Sequence, residues 1–109
     1  IIHTKKILDN VLDQGNYMRK MLKDTLSSHD FYFDVRGRGL RFSIEFKCKN
    51  VNLFTSSLAK QMLEKHNIFI SGKFHRVCFT PAFIITRKEA NYILENFFKE
   101  FFILVSNWR

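Results

Sequence analysis

Cysteine is scarce in this sequence. Cys48 and Cys78 are its only two, weak grounds for a bridge in a chain with this much apolar residue, and both are expected as reduced thiols of a cytoplasmic protein. Long apolar runs are missing as well. None approaches the roughly 20 residues that a membrane-spanning helix needs, so no membrane association is expected. The opening Ile1-Ile2-His3-Thr4-Lys5-Lys6 carries charge with no apolar core behind it, which does not fit a signal peptide. A start at Ile1 instead of Met is read as a processed product or a fragment. No low-complexity linker and no internal repeat divides the chain. Its 109 residues suit one domain, 1–109, large enough to bury a core.

The usual signatures of chemistry are also absent. His3, His29, His66 and His75 stand far apart, with no pair four residues apart on a helix, so no metal site is expected and each histidine is read as a surface or capping residue. No G-x-x-x-x-G-K-[ST] phosphate loop occurs. Arg36-Gly37-Arg38-Gly39-Leu40 is too short for a dinucleotide fingerprint and does not open a helix, so its glycines are read as serving backbone geometry. No Ser/His/Asp set follows from spacing, and no catalytic residue is assigned.

What is present is apolar residue and positive charge. Hydrophobic residues make up 46% of the chain, which argues against disorder, and the net charge is +8. Such a charge invites an anionic partner. Lys and Arg are, however, scattered from Lys5 to Arg109 with no run longer than two, the pattern of a solvated basic surface. Aromatic and basic residues interleave at Arg38-Gly39-Leu40-Arg41-Phe42, as on an RNA-binding sheet. The alternation nevertheless sets Phe42 with Ile44 and Phe46 on one face, a core-facing pattern. Nucleic acid is therefore not the favoured partner.

Periodicity lays out seven elements. Ile7, Val11, Gly15, Met18, Leu22 and Leu26 recur at helical steps, predicting a helix from about Thr4 to Ser27. Gly15 on that stripe costs about 1 kcal/mol of helix propensity, which close packing of a neighbour would explain. Phe31 to Val35 is rich in strand formers, and Arg36 to Gly39 is expected to break it with a bulge or a positive-φ turn. Leu40 to Lys47 alternates cleanly, with Arg41, Ser43 and Glu45 opposite the apolar face. A second helix is predicted near Thr55 to His66 on a stripe of Leu58, Met62 and Leu63, ended by Asn67 as a left-handed cap. Ile68-Phe69-Ile70 is predicted as a short strand, Ser71-Gly72-Lys73 as a turn, and Arg76 to Thr80 as a strand stopped by Pro81. Thr86-Arg87-Lys88-Glu89 fits a capping box that opens the last helix. Ala90, Ile93, Leu94, Phe97, Phe98, Phe101 and Phe102 then cover about half the helix circumference. Either that face covers something outside the domain or the helix is sunk in its own core. The fold expected is α+β, a small and mostly antiparallel sheet with three helices packed on it.

Three segments, in order, resemble class III aminotransferases. Asp34-Val35-Arg36-Gly37-Arg38-Gly39-Leu40-Arg41-Phe42-Ser43-Ile44-Glu45 is similar to the family's D-V-R-G-x-G-L-x-x-x-I-E signature. Gly15-Asn16-Tyr17-Met18-Arg19-Lys20-Met21-Leu22 looks like its G-x-x-[LM]-[RK]-x-x-L helix. Phe79-Thr80-Pro81-Ala82-Phe83-Ile84-Ile85-Thr86-Arg87-Lys88-Glu89 is similar to its closing strand, P-P-L-like turn and T-x-x-E helix start. Together they span essentially the whole chain, and their order is more specific than any one of them.

The resemblance implies the C-terminal small domain of a fold type I, pyridoxal-phosphate-dependent transaminase, homodimeric as a whole enzyme, whose large cofactor-binding domain is absent here. The cofactor lysine of the family lies in that large domain, and no lysine here matches its context. The lobe is thus expected to be inactive alone, to bind no cofactor by itself, and to cover the active-site cleft on the substrate side. The family's carboxylate-binding arginine falls at one of two places, which here hold Ser71 and Cys78. Arg76, two residues before Cys78 and so on the same strand face, is the candidate replacement. Ser71, Cys78 and Arg76 are the candidate substrate-side residues. Arg36, Gly37, Gly39, Glu45 and Pro81 are read as the structural motif. The alternatives are a parent enzyme whose substrate lacks a carboxylate there, a free-standing basic module that binds nucleic acid, or a non-functional truncated remnant.

Overall fold

The computed structural model describes residues 2–38, 41–79 and 86–108, with all their side chains except those of residues 2–8, 11 and 38. Among the described residues, seven elements follow one another: α1 (Ile2–Leu26), β1 (Tyr32–Arg38), β2 (Arg41–Phe46), α2 (Val51–His66), β3 (Ser71–Lys73), β4 (Arg76–Phe79) and α3 (Arg87–Trp108). The four strands form one antiparallel sheet in the order β1-β2-β4-β3. The fold is α+β, as expected from the sequence.

The sheet is two-faced because strand side chains alternate. Phe42 and Ile44 of β2 and Val77 and Phe79 of β4 are buried, and they share one core with Met18, Leu22 and Leu26 of α1, Phe54, Leu58 and Met62 of α2, and Ala90, Leu94, Phe97, Phe101 and Val105 of α3. All three helices therefore meet the same face of the sheet. Among the described residues, none covers the other face. Burying a side chain of this size contributes about 1.5–3 kcal/mol, so these residues fix which face is which.

Both capping predictions hold. At the start of α3, Glu89 N–H donates to the Thr86 hydroxyl at 3.1 Å, and Thr86 N–H donates to Glu89 Oε1 at 3.0 Å. Asn67 ends α2 in the left-handed conformation, φ 56°. The α3 face divides between the two readings. Phe97 and Phe101 are buried, whereas Phe102 is 43% exposed.

Several expectations need correction. First, α2 starts at Val51, four residues before the predicted Thr55. Asn50 stands at its start with φ 56° and no side-chain cap, so no capping signal marks the place. Packing supplies it instead: Phe54 lies within ring contact of Phe31, Phe46, Phe101 and Trp108, at centroid distances of 5.2–5.8 Å. Second, the short strand is Ser71–Lys73 and not Ile68–Ile70. Ser71, Gly72 and Lys73 pair with Cys78, Val77 and Arg76, and the turn falls at Phe74 and His75. Phe74 takes φ 57°, unusual for a large residue. Its N–H donates to Asn52 Oδ1 at 3.0 Å and its carbonyl accepts from the Thr55 hydroxyl at 2.8 Å. Third, Leu63 is 47% exposed and not part of the core stripe.

Gly37 does not break the first strand, contrary to the expectation for Arg36 to Gly39. β1 runs on through Arg36, Gly37 and Arg38, and the one register shift lies earlier, between Tyr32 and Asp34. Gly37 has φ 129°, and a Cβ there would stand 2.4 Å from Phe42 Cα. The position thus needs both the conformation and the smallness of glycine. Gly39 and Pro81 lie outside the described residues.

Candidate functional site

On the helix-free face of the sheet, register alone sets out two rows of polar side chains. Arg36 of β1 stands opposite Ser43 of β2, Ser43 opposite Cys78 of β4, and Cys78 opposite Ser71 of β3. The next row runs Asp34, Glu45, Arg76, Lys73. Neighbours within a row are about 4.8 Å apart across the strands, and the rows are about 6–7 Å apart along them. The three sequence candidates thus come together: Ser71 and Cys78 are direct partners, and Arg76 shares their face. Arg36 and Glu45, singled out as motif residues, lie on it as well.

Glu45 is the buried charge of this face, 7% exposed. A carboxylate out of water needs cationic partners. Arg36 Nε lies 3.2 Å from its Oε1, and His75 Nε2 lies 3.5 Å from its Oε2. Arg36 Nε is also 3.3 Å from Asp34 Oδ2, so two carboxylates hold one guanidinium. Asp34 Oδ1 in turn accepts the Val35 N–H at 2.8 Å. The Arg36 charge is spent within the sheet, whereas Arg41 and Arg76 have no carboxylate partner among the described residues.

These residues border a groove of about 370 Å³, with Arg36, Ser43, Glu45, Arg76 and Cys78 along it and Arg41 at one end. Its chemistry is that of an anion seat: two guanidinium forks without carboxylate partners, a hydroxyl and a thiol. Ser43 and Arg41 were not among the sequence candidates. The alternation of Leu40 to Lys47 had already placed them on the polar face, but register with β4 was needed to bring them beside Cys78.

The groove does not fit a resident pyridoxal phosphate by itself. Every described lysine side chain is exposed, and none borders the groove, so no buried amine is available to hold the cofactor covalently. Cys48 lies away from the groove, half-buried, and burial pushes its thiol pKa up.

A second polar cluster ties α2 to α3. Glu100 of α3 is 3% exposed, His66 Nε2 lies 2.8 Å from its Oε2, and Lys65 Nζ lies 3.5 Å from its Oε1. Burial pushes the Glu100 pKa up, but the His66 hydrogen bond and the Lys65 charge outweigh it, and the carboxyl sits below its usual value. His66, expected as a surface or capping residue, is mostly buried in this contact. Among the described residues, no group of three His, Cys, Asp or Glu side chains can hold a metal, and no helix is long and apolar enough to cross a membrane.

Comparison with known proteins gives a consistent picture. No family model matches the chain. An uncharacterised aminotransferase of Schizosaccharomyces pombe is 24% identical over 87% of this chain. Alanine–glyoxylate aminotransferase 2 homolog 2 of Arabidopsis thaliana, a mitochondrial protein, is 28% identical, also over 87%. The chain spans 24% and 21% of the lengths of these two relatives. Among solved structures, the omega transaminase of Pseudomonas jessenii in complex with PMP superimposes with a TM-score of 0.84 over 96% of this chain and 24% of its own, at 18% identity. The chain has the fold of a transaminase small domain, and its sequence is similar to about a quarter of an aminotransferase.

Proposed function

We propose that this chain acts as the C-terminal lobe of a class III, pyridoxal-phosphate-dependent aminotransferase, with the helix-free face of its sheet forming the substrate-side wall of the active-site cleft. The observation that carries the reading is the match of nearly the whole chain to one quarter of a transaminase that binds PMP, together with an open sheet face lined by Arg76, Cys78, Ser71 and Ser43. A large domain supplies the other wall and the lysine. Pyridoxal phosphate bound there supplies the electron sink for carbanion chemistry.

In this reading the lobe's own residues bind and orient. Arg76 offers a planar fork that matches two carboxylate oxygens. It replaces the arginine that the family carries at the positions of Ser71 or Cys78. The Ser43 hydroxyl and the Cys78 thiol, side by side in register, border the path to it. Glu45 and Asp34 hold Arg36 against the sheet, which keeps β1 and β2 in place beneath the substrate. Closing the lobe onto the large domain removes water from the cleft and strengthens these contacts. The parent enzyme is a homodimer of the cytoplasm in this account.

A free-standing nucleic-acid module is less well supported. Phe42, Ile44 and Phe46 are all buried, so the middle of the sheet offers no aromatic platform on which bases stack. Two measurements separate the readings. With pyridoxal phosphate added, the chain alone should give no lysine-dependent visible absorption band, and it should show no salt-sensitive binding of single-stranded RNA. A lysine-dependent band refutes the dependence on a large domain, and RNA affinity that falls steeply with salt favours the module instead.

A further inference from the structure

At one edge of the sheet, β3 is covered: Gly72 lies against the Thr55 backbone of α2. At the other edge, no strand among the described residues pairs with the far side of β1. Two hydrogen bonds fix which backbone groups of β1 face outward. Phe46 N–H donates to the His75 carbonyl, on the β4 side, and Lys47 N–H donates to the Phe31 carbonyl, on the β1 side. In an antiparallel strand the backbone groups of successive residues turn to opposite sides. Ser43 and Glu45 therefore turn toward β1, as Lys47 does. Their register partners Arg36 and Asp34 turn back toward β2, which directs the N–H and C=O of Val35 and Gly37 away from the sheet. The Val35 N–H agrees with this: the Asp34 side chain meets it, Oδ1 accepting at 2.8 Å. Outward groups of this kind are a template for another strand.

Charge selects which strand fits. Around Val35 the sequence reads Asp34-Val35-Arg36. In a second β1 laid antiparallel, with Val35 opposite Val35, Asp34 of each copy faces Arg36 of the other. The same register sets Phe33, 55% exposed, opposite Gly37, whose missing side chain leaves room for a ring. Moving the axis by one residue either way sets Asp34 or Arg36 against itself, and like charges directly opposite are destabilising.

We propose that the open edge of β1 binds a second copy of this chain through the same edge, in a twofold antiparallel pair centred on Val35 that joins the two sheets side by side. On pairing, the Val35 carbonyl of each copy takes over the Val35 N–H of the other from Asp34 Oδ1. The released carboxylate turns to Arg36 of the opposite copy. This surface is the rim of the sheet and not its substrate-side face, so it goes beyond the reading above and does not depend on it. A contact of one short strand is small beside the about 1,600 Å² of a standard interface. The net charge of +8 on each copy also opposes it. The association is therefore weak and reversible.

The test uses the full 109-residue chain. Sedimentation velocity over a series reaching about 1 mM, where so small a contact is populated, should show a monomer passing into a dimer. Amide exchange at Val35 and Gly37 should slow as concentration rises, and exchange in α2 should not. Asp34→Arg and Arg36→Asp should each weaken the dimer by about tenfold, since each turns two attractive cross-strand pairs into two repulsive ones. An equimolar mixture of the two variants should recover it, because opposite charges then face each other in both pairs. A chain that stays monomeric throughout the series overturns the proposal. So does a dimer whose exchange at Val35 and Gly37 is indifferent to concentration, or a mixture no more associated than its folded components. If either variant loses the circular dichroism of the parent chain, the exchange result on the unaltered chain decides alone. None of these results bears on the dependence on a large domain, which the cofactor absorbance decides separately.

Discussion

Glu100, in the middle of α3 and 3% exposed, accepts a 2.8 Å contact from His66, the last residue of α2. A buried carboxylate is costly unless it is paired. Here the partners are His66 and Lys65, both in the last turn of α2, where positive charge also meets the negative end of the helix dipole. These contacts tie α2 to α3, two of the three helices packed on the sheet.

That tie should show in stability against pH. The Glu100 pKa is lowered in the folded chain. Its contribution is therefore fully present above the ordinary glutamate pKa and is lost as pH falls through the lowered folded value. Urea unfolding of the parent chain and of Glu100→Gln should differ most at neutral pH and converge as pH falls through the lowered folded value. Glu100→Ala, which leaves His66 and Lys65 without their acceptor, should cost about 2 kcal/mol at neutral pH. A gap between Glu100→Gln and the parent that is constant with pH would falsify this account of the pair.

Gly72 lies where β3 meets α2. A Cβ there would stand 2.0 Å from the backbone oxygen of Thr55, which cannot swing away as a side chain can. Gly72→Ala should cost about 2–3 kcal/mol and loosen β3, the strand that carries Ser71. Hydrogen exchange at Lys73 and Cys78 should speed up more than exchange in β1. Wild-type stability in Gly72→Ala would mean that β3 and α2 are not in contact at that distance.

Thr86 opens α3 with a reciprocal cap, and the helix start is also tied to α1. Arg87 Nε donates to Gln14 Oε1 at 2.9 Å, and the Arg87 guanidinium stacks 3.8 Å above the Tyr17 ring. Thr86→Ala should cost about 1 kcal/mol, measurable as a lower urea midpoint. Arg87→Ala should cost a similar amount through its stacking contact. Because the two residues are neighbours acting on one helix start, the double variant should cost less than the sum.

Much of this was legible in the sequence, for identifiable reasons. Core positions at helical spacing, such as Met18, Leu22 and Leu26, and the strict alternation of Phe42, Ile44 and Phe46, follow from side-chain geometry that any local window reveals. The capping box at Thr86 and Glu89 is likewise local. What was not legible depends on distant partners. Ser71-Gly72-Lys73 has turn-like composition, and it becomes a strand because β4 pairs with it and because Gly72 permits contact with α2. The start of α2 at Val51 is set by Phe54 entering a cage of rings from three other parts of the chain, Phe31, Phe46 of β2, and Phe101 and Trp108 of α3. The groove was half legible. Arg76 and Cys78 share a face by simple alternation, but their meeting with Ser43 and Ser71 is a matter of register across three strands.

The two thiols should also report on the site. Cys78 borders the groove, whereas Cys48 is half-buried with its pKa pushed up by burial. Since the thiolate is the reacting form, a charged disulfide reagent should modify Cys78 before Cys48. An anion bound in the groove should slow the Cys78 reaction and leave Cys48 unaffected. Equal rates at the two positions would argue against an open groove over Cys78.

The most direct measurement replaces the small domain of an active transaminase of the same fold with this chain and assays amino transfer with the cofactor bound. A chain that forms the substrate-side wall should give a folded hybrid that binds pyridoxal phosphate and transfers amino groups, with activity lost on Arg76→Ala and cofactor absorbance retained. A hybrid that folds and holds the cofactor, yet whose activity is indifferent to Arg76, Cys78 and Ser43 alike, would contradict the placement of this sheet face at the substrate.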